Sequence, residues 1–232
     1  MDIVLIRHAQ SANNLIWAQT GTAVGRVPDP GLTPLGHRQA VAVAGALAPQ
    51  GRYAAATPTV LYASLMSRAV LTAAPIAAAL DLPVHGHAEI FEVGGPVDWS
   101  GHEHEPRRAH PGAGRVALAE LSDRLVLPSS AGADGWWPGP VEVESAAADR
   151  AARAVGGLVE RHGGTDAVVG LVTHGLFSQF LIRALLGIGS MAGWVDVLNT
   201  SVSRFVDVDV PGRTVAAWIN RVEHLHPDEV TD

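Results

Sequence analysis

Ile3-Val4-Leu5-Ile6-Arg7-His8 is an aliphatic run that stops abruptly at two cation-capable side chains. A short run rich in β-branched residues reads as a buried strand. Arginine and histidine at its end cost free energy if buried without partners. The carboxyl ends of strands in open α/β sheets are also where ligands bind. Arg7 and His8 therefore mark a candidate anion site, against the plainer alternative of a strand that ends in polar residues at the surface. A second run repeats the arrangement. Residues 167–173 are apolar nearly throughout, as a central strand requires, and His174-Gly175 follows.

Around these two runs the chain alternates extended and helical patterns. Residues 10–31 are polar and rich in Gly and Pro. Leu32-Thr33-Pro34-Leu35-Gly36 then opens a helix, with Thr33 as N-cap and Pro34 at the first helical position. The helical pattern runs to Leu47, and Pro49 to Gly51 stop it. Residues 60–63 read as a second strand. Residues 67–80 read as a helix in which Pro75 predicts a kink or an N-terminal break. Residues 93–140 are rich in Gly, Pro, His and Trp, with one helical piece expected over 115–125. They read as an excursion from the sheet, too short to support a core of their own. Helices follow over 144–162 and 176–186, then late strands near 201–208 and 215–220. Strands alternating with helices predict an α/β fold, a three-layer α/β/α sandwich with a mostly parallel central sheet. Residues 1–232 read as a single domain, with the excursion as a lid.

Composition narrows the function classes. The chain has 232 residues and a net charge of -7, from 16 basic and 23 acidic side chains. That balance offers no basic face for nucleic acid. Hydrophobic residues make up 47% and charged residues 17%, too apolar for a disordered chain. The absence of cysteine excludes disulfides, thiolate metal sites and a cysteine nucleophile, and it fits a reducing cytoplasm. The first aliphatic run is far shorter than the roughly 7–15-residue core of a secretory signal. The longest Ala/Val-rich stretch, residues 40–48, is shorter than the about 20 residues that cross a bilayer. The expectation is a cytoplasmic protein without a membrane or nucleic-acid partner.

If the strands ending at His8, Ser64 and His174 are parallel neighbours, their ends meet in one crevice. Arg7, His8, Arg68 and His174 then converge. Like charges gathered this way make little sense as packing and good sense around a phosphoryl dianion, whose oxygens match the guanidinium fork. The N-terminus of the helix at Ser67 would add backbone donors.

The motifs in their order resemble the histidine phosphatase superfamily, the branch with phosphoglycerate mutases and many small phosphatases. Arg7-His8-Ala9-Gln10-Ser11-Ala12-Asn13-Asn14 is similar to its opening signature, except that Ala9 stands where the family has Gly. Leu32-Thr33-Pro34-Leu35-Gly36 matches its Leu-Thr-x-x-Gly motif. Ser64-Leu65-Met66-Ser67-Arg68-Ala69-Val70-Leu71-Thr72-Ala73 matches the next, with Leu65 for the usual Pro. Thr173-His174-Gly175 matches the last.

The resemblance implies a phosphoglycerate mutase-like fold and a phosphomonoester hydrolase that works through a phosphohistidine on His8. Arg7, Arg68 and His174 would hold the phosphoryl oxygens, and Asn14 would donate a neutral hydrogen bond. A leaving alkoxide needs a proton, and the family supplies a Glu after the third strand. Glu89 and Glu92 are both candidates. Glu92 fits better, since Ile90 takes the aliphatic place and Gly94-Gly95 follow. A methyl at position 9 would crowd the phosphate or tilt its backbone amide.

No cofactor and no metal is expected, and the partner is a small phosphorylated substrate. Three other readings compete. A mutase-type phosphotransferase is disfavoured because the chain lacks that branch's basic insertions and has no lysine at all. A metal-dependent hydrolase would use the cluster of His85, His87, His102, Glu103, His104, Glu105 and His110. A non-catalytic phosphate-binding module would keep the pocket without the chemistry. Arg107, Arg108 and Arg115 in the excursion are either solvated surface or contacts for a second acidic group. An edge strand near 202–208 is one route to a homodimer.

Overall fold

The computed structural model describes residues 1–102 and 104–232. The strands in chain order are β1 (Asp2–Arg7), β2 (Val60–Ser64), β3 (Val84–His87), β4 (Val97–Asp98), β5 (Arg108–Ala109), β6 (Leu125–Val126), β7 (Val168–Thr173), β8 (Val202–Val206) and β9 (Val215–Arg221). The helices are α1 (Ala12–Thr20), α2 (Pro34–Leu47), α3 (Ser67–Leu80), α4 (Arg115–Leu121), α5 (Glu144–His162) and α6 (Gly175–Leu186).

Seven strands form the central sheet in the order β6-β3-β2-β7-β1-β8-β9. From β6 to β1 every neighbouring pair is parallel. β8 and β9 add two antiparallel strands at one end. Helices cover both faces, which explains why β1 and β7 are aliphatic without alternation. In β1, Ile3 and Leu5 pack with Leu158, Phe177 and Leu181 of α5 and α6. Val4 and Ile6 pack on the opposite face with Val43, Leu47 and Ile76 of α2 and α3. The expected three-layer α/β/α sandwich is therefore the observed fold.

Local signals explain the element ends that matter for the site. Thr33 caps α2, its Oγ1 accepting from Gly36 N at 3.0 Å, with Pro34 following. α6 begins directly after His174 and ends at Gly187, which adopts a left-handed conformation at φ 65°.

Of the two outcomes expected at Pro75, the N-terminal break does not occur, since α3 runs unbroken from Ser67 to Leu80. Other expectations need correction. α4 stops at Leu121, because Ser122 turns extended and its Oγ accepts from Arg124 N at 3.2 Å. Leu125 and Val126 then pair with β3, so part of the excursion belongs to the central sheet. β8 lies between β1 and β9 and is not an edge; β9 and β6 are. Among the described residues, no helix is long and apolar enough to cross a membrane.

Candidate active site

The sheet order places β2, β7 and β1 side by side and parallel, so their carboxyl ends meet. His8 follows β1 and His174 follows β7, and their rings stand edge to face with centroids 5.1 Å apart. Arg68, in the first turn of α3, donates from Nε to His8 Nε2 at 3.1 Å. Ser64, the last residue of β2, contacts His174 Nε2 at 2.8 Å through its hydroxyl. Arg7, His8, Arg68 and His174 are all buried. The four residues expected to converge do so.

The hydrogen bonds define what each imidazole offers. His8 Nδ1 lies 2.8 Å from the carbonyl oxygen of Ala9. A carbonyl only accepts, so Nδ1 carries the proton and Nε2 presents a lone pair. Burial, then the charges of Arg68 and Arg7, hold the His8 pKa well below its ordinary value. The ring is neutral at neutral pH. The Ser64 hydroxyl oxygen already accepts from Met66 N at 3.3 Å, so its hydrogen is free to donate to His174 Nε2. In the tautomer where Ser64 donates to Nε2, Nδ1 of His174 is an N–H donor; that nitrogen is buried and without a partner among the described residues. Burial and then Arg68 also lower the His174 pKa well below its usual value.

Arg7 is fixed from the far side of the chain. One terminal nitrogen donates to the carbonyl of Val197 and pairs with Asp232 at 2.5 Å. Its Nε is buried and unpartnered among the described residues. A Cβ at Gly175 would stand 3.2 Å from this guanidinium, which accounts for glycine after His174.

The Leu-Thr-x-x-Gly motif clamps the loop after His8. Thr33 N donates to Gln10 O at 3.0 Å, and Thr33 Oγ1 to Gln10 Oε1 at 2.7 Å. Gln10 N donates to Gln39 Oε1 at 2.8 Å. A Cβ at Gly36 would sit 2.1 Å from the Gln10 carbonyl oxygen, so backbone meets backbone with no room for a side chain. Gly36→Ala is expected to destabilise the fold by about 1–3 kcal/mol and to lower turnover by displacing the loop. Thermal melts and kcat/KM check both, and unchanged values would show that the loop yields without cost.

Glu92 and Glu89 separate clearly. Glu92 sits at the N-terminus of α6, where its carboxylate accepts from Phe177 N at 2.9 Å and Leu176 N at 3.3 Å. It lines the same cavity as Arg68, with a volume of about 210 Å³. Glu89 instead pairs with Arg153 at 3.0 Å in an exposed setting. Asn14 spends its Oδ1 on Ser11 N at 3.1 Å and Ser11 Oγ at 2.8 Å, so its amide nitrogen is the group left to offer.

The expected backbone donor at Ser67 is not available. Asp29 occupies the N-terminus of α3, accepting from Ser67 N at 2.9 Å and Ser67 Oγ at 2.7 Å. Ser67 therefore has no free backbone donor for a phosphate. The amide of Ala9 is likewise engaged, donating to Thr72 Oγ1 at 3.0 Å.

Several supporting residues carry no motif. Asn199 Nδ2 donates to His8 O at 3.0 Å, and Thr200 N donates to Arg7 O at 3.1 Å. Thr200 holds a left-handed φ of 55°, strain localised at the site. Arg150 is buried, pairs with Glu142 through two nitrogens at 2.7 Å each, and donates to the carbonyls of Glu89 and Phe91. Its guanidinium also stacks over Phe91 and Phe177. Arg150 thus holds the segment that presents Glu92. Arg150→Met is expected to cost about 3–5 kcal/mol, because Glu142 is left buried and unpaired. Adding Glu142→Met should recover most of that stability but not the grip on residues 89–91. Denaturant melts and turnover of an alkyl phosphate check this. Full recovery of both in the double variant would remove Arg150 from any positioning role.

Among the described residues, no group of three or more His, Asp or Glu side chains is arranged to hold a metal ion. Glu103, one member of the proposed metal cluster, lies outside the described residues. Of the excursion's arginines, Arg107 lines the Arg68–Glu92 cavity. Arg108 lines a neighbouring one. Arg115 is turned to the carbonyls of Pro128 and Ala131.

Residues 3–221 match the profile of the histidine phosphatase superfamily (branch 1), and the chain belongs to that family. Solved structures with the same fold include a phosphoserine phosphatase variant from Entamoeba histolytica in complex with phosphoserine. It is 22% identical, with a TM-score of 0.59, covering 97% of this chain and 99% of that one. Mycobacterial glucosyl-3-phosphoglycerate phosphatase, in complex with VO3, is 24% identical with a TM-score of 0.62, covering 95% and 99%. Bacillus stearothermophilus YhfR is 22% identical with a TM-score of 0.61, covering 96% and 98%. No curated protein sequence matches.

Proposed function

We propose that this enzyme hydrolyses small phosphomonoesters through a phosphohistidine on His8. The observation that carries the reading is the His8 ring itself: neutral, with Nδ1 tied to the Ala9 carbonyl and Nε2 beside two guanidinium groups. The phosphatases among the structural neighbours support hydrolysis over phosphotransfer between sugars or acids.

In the first step Arg68 Nε exchanges its bond to His8 Nε2 for a phosphoryl oxygen, and the Nε2 lone pair so released attacks phosphorus in line as the bond to the ester oxygen breaks. Arg7, Arg68 and the free Nδ1–H of His174 face the equatorial oxygens, where charge is spread. Asn14 adds its amide. Glu92 gives a proton to the leaving oxygen. In the second step Glu92 takes a proton from water, the hydroxyl attacks phosphorus, and the P–N bond breaks. Phosphate leaves and His8 returns to its neutral form.

Residues 1–232 act as one domain in this reading, and residues 93–140 form the lid over the pocket. The cysteine-free composition favours a cytoplasmic setting. Rapid acid-free quenching of a reaction with a labelled aryl phosphate tests the mechanism. Label is expected on His8 as an acid-labile, base-stable phosphoramidate. Label on a carboxylate, or turnover with no covalent label at any quench time, would overturn it.

A further inference from the structure

We infer that the hydroxyl of Thr231 is a positioning group for the His8 imidazole; this rests on the phosphohistidine reading of the same site. Residues 229–232 are bound to three parts of the chain that meet at the site. The Glu229 carbonyl accepts from Gln39 Nε2 of α2 at 2.7 Å, and the Thr231 carbonyl accepts from Asn199 N at 2.9 Å. Asp232 pairs with Arg7 at 2.5 Å. Between these anchors Thr231 Oγ1 accepts from Gln39 Nε2 at 2.9 Å and donates to Asn199 Oδ1 at 2.9 Å. Gln39 and Asn199 are both fully buried.

The direction of every bond in this chain is forced. Gln10 N only donates, so it takes Oε1 of Gln39 and leaves Nε2 to face Thr231. The His8 carbonyl only accepts, so it takes Nδ2 of Asn199 and leaves Oδ1 to face Thr231. An amide donor and an amide acceptor thus stand on either side of one gap, and only a group that both accepts and donates closes it. The Thr231 hydroxyl is that group. Without it a buried amide oxygen loses its partner, which costs more than an exposed hydrogen bond. What the chain grips is the pair of peptide units on either side of Ala9. Asn199 holds the His8 carbonyl at 3.0 Å, and Gln39 holds Gln10 N at 2.8 Å. A peptide unit is planar, so fixing Gln10 N fixes the direction of the Ala9 carbonyl. That oxygen is the one that meets His8 Nδ1 at 2.8 Å. Thr231 therefore acts on the His8 ring through two buried amides and one carbonyl.

The test compares Thr231→Val, which keeps the shape and removes the hydroxyl, with Thr231→Ser, which keeps the hydroxyl. In rapid acid-free quenching with saturating p-nitrophenyl phosphate, Thr231→Val is expected to label His8 about tenfold or more slowly. Thr231→Ser is expected to label it at close to the parent rate. Affinity for inorganic phosphate, read by calorimetry, is expected to change by less than about twofold in both, because Arg7, Arg68 and His174 are retained. NMR of the ring nitrogens, with no substrate present, is expected to show His8 protonated at Nδ1 alone in the parent and in Thr231→Ser, and as a mixture of tautomers in Thr231→Val. This measurement needs no turnover, so the two readings fail separately. A parent protein that never labels on His8 would overturn the phosphohistidine, whereas unchanged ring-nitrogen shifts in Thr231→Val would overturn the role of Thr231. A lower melting temperature with an unchanged labelling rate well below it would make Thr231 merely structural and also overturn the inference. If Thr231→Val does not fold, Thr231→Ala is read in the same way with the same expectations.

Discussion

His8→Ala is expected to lower kcat on any phosphomonoester by on the order of 10⁴-fold or more, and to abolish covalent labelling. The size of the loss follows from what the ring does. In the proposed mechanism it supplies the nucleophile, already neutral because burial and two arginines oppose protonation. Without it, water would have to attack phosphorus directly, with Arg7, Arg68 and His174 still stabilising the oxygens. A residual rate above the uncatalysed reaction is therefore expected, as when nucleophiles are removed from other double-displacement enzymes. Binding should survive the substitution, because Arg7 is held by Val197 and Asp232 independently of His8. Steady-state kinetics on p-nitrophenyl phosphate, with circular dichroism to confirm folding, decides the matter. A kcat within tenfold of the parent would place the nucleophile elsewhere.

Glu92→Gln is expected to slow alkyl phosphates by about 10²–10⁴-fold and p-nitrophenyl phosphate much less in its first step. Glutamine keeps one oxygen, enough for the Phe177 amide that now donates to Oε1 but not also for the Leu176 amide on Oε2, and it has no proton to give. An alkoxide cannot leave without one, whereas p-nitrophenolate can. The second step still requires activation of water, so the phosphorylated enzyme should accumulate. Stopped-flow mixing is then expected to show a burst of about one p-nitrophenol per active site. Equal slowing of both substrates with no burst would argue against the general-acid role. Glu89→Gln provides the contrast, because that carboxylate pairs with Arg153 at the surface.

Much of the site was legible because its parts are local. A strand that ends in histidine announces itself within six residues, and so does a Thr-Pro cap before a helix. The order of the motifs was enough to name Arg7, His8, Arg68 and His174 and to prefer Glu92 over Glu89. The residues that escaped notice have no local signature. Asp29 reaches Ser67 across 38 positions, and Arg150 reaches the carbonyl of Phe91 across 59. Asn199 reaches His8 across 191. Each is an ordinary polar side chain in a loop or helix until folding supplies its partner. The short strand at Leu125 was missed for a related reason. Two residues carry too little periodicity to read, and only pairing with β3 makes them a strand.

The sequence by itself determined the layered fold, the crevice at the strand ends and the chemical type of its cations. Hydrophobic periodicity and capping act over neighbouring residues, and a linear pattern records them. Only the tertiary structure decided how those cations are used. Which nitrogen of His8 carries the proton depends on the Ala9 carbonyl and Arg68 together. The Ser67 amide at the start of α3 is taken because Asp29 arrives there from a distant loop. The α6 N-terminus receives Glu92. Hydrogen bonds and charges act through space over a few ångströms, so their partners are set by the packing that brings them within reach. The histidine at the end of the first strand is a candidate anion site in the sequence and an oriented, neutral imidazole only in the fold.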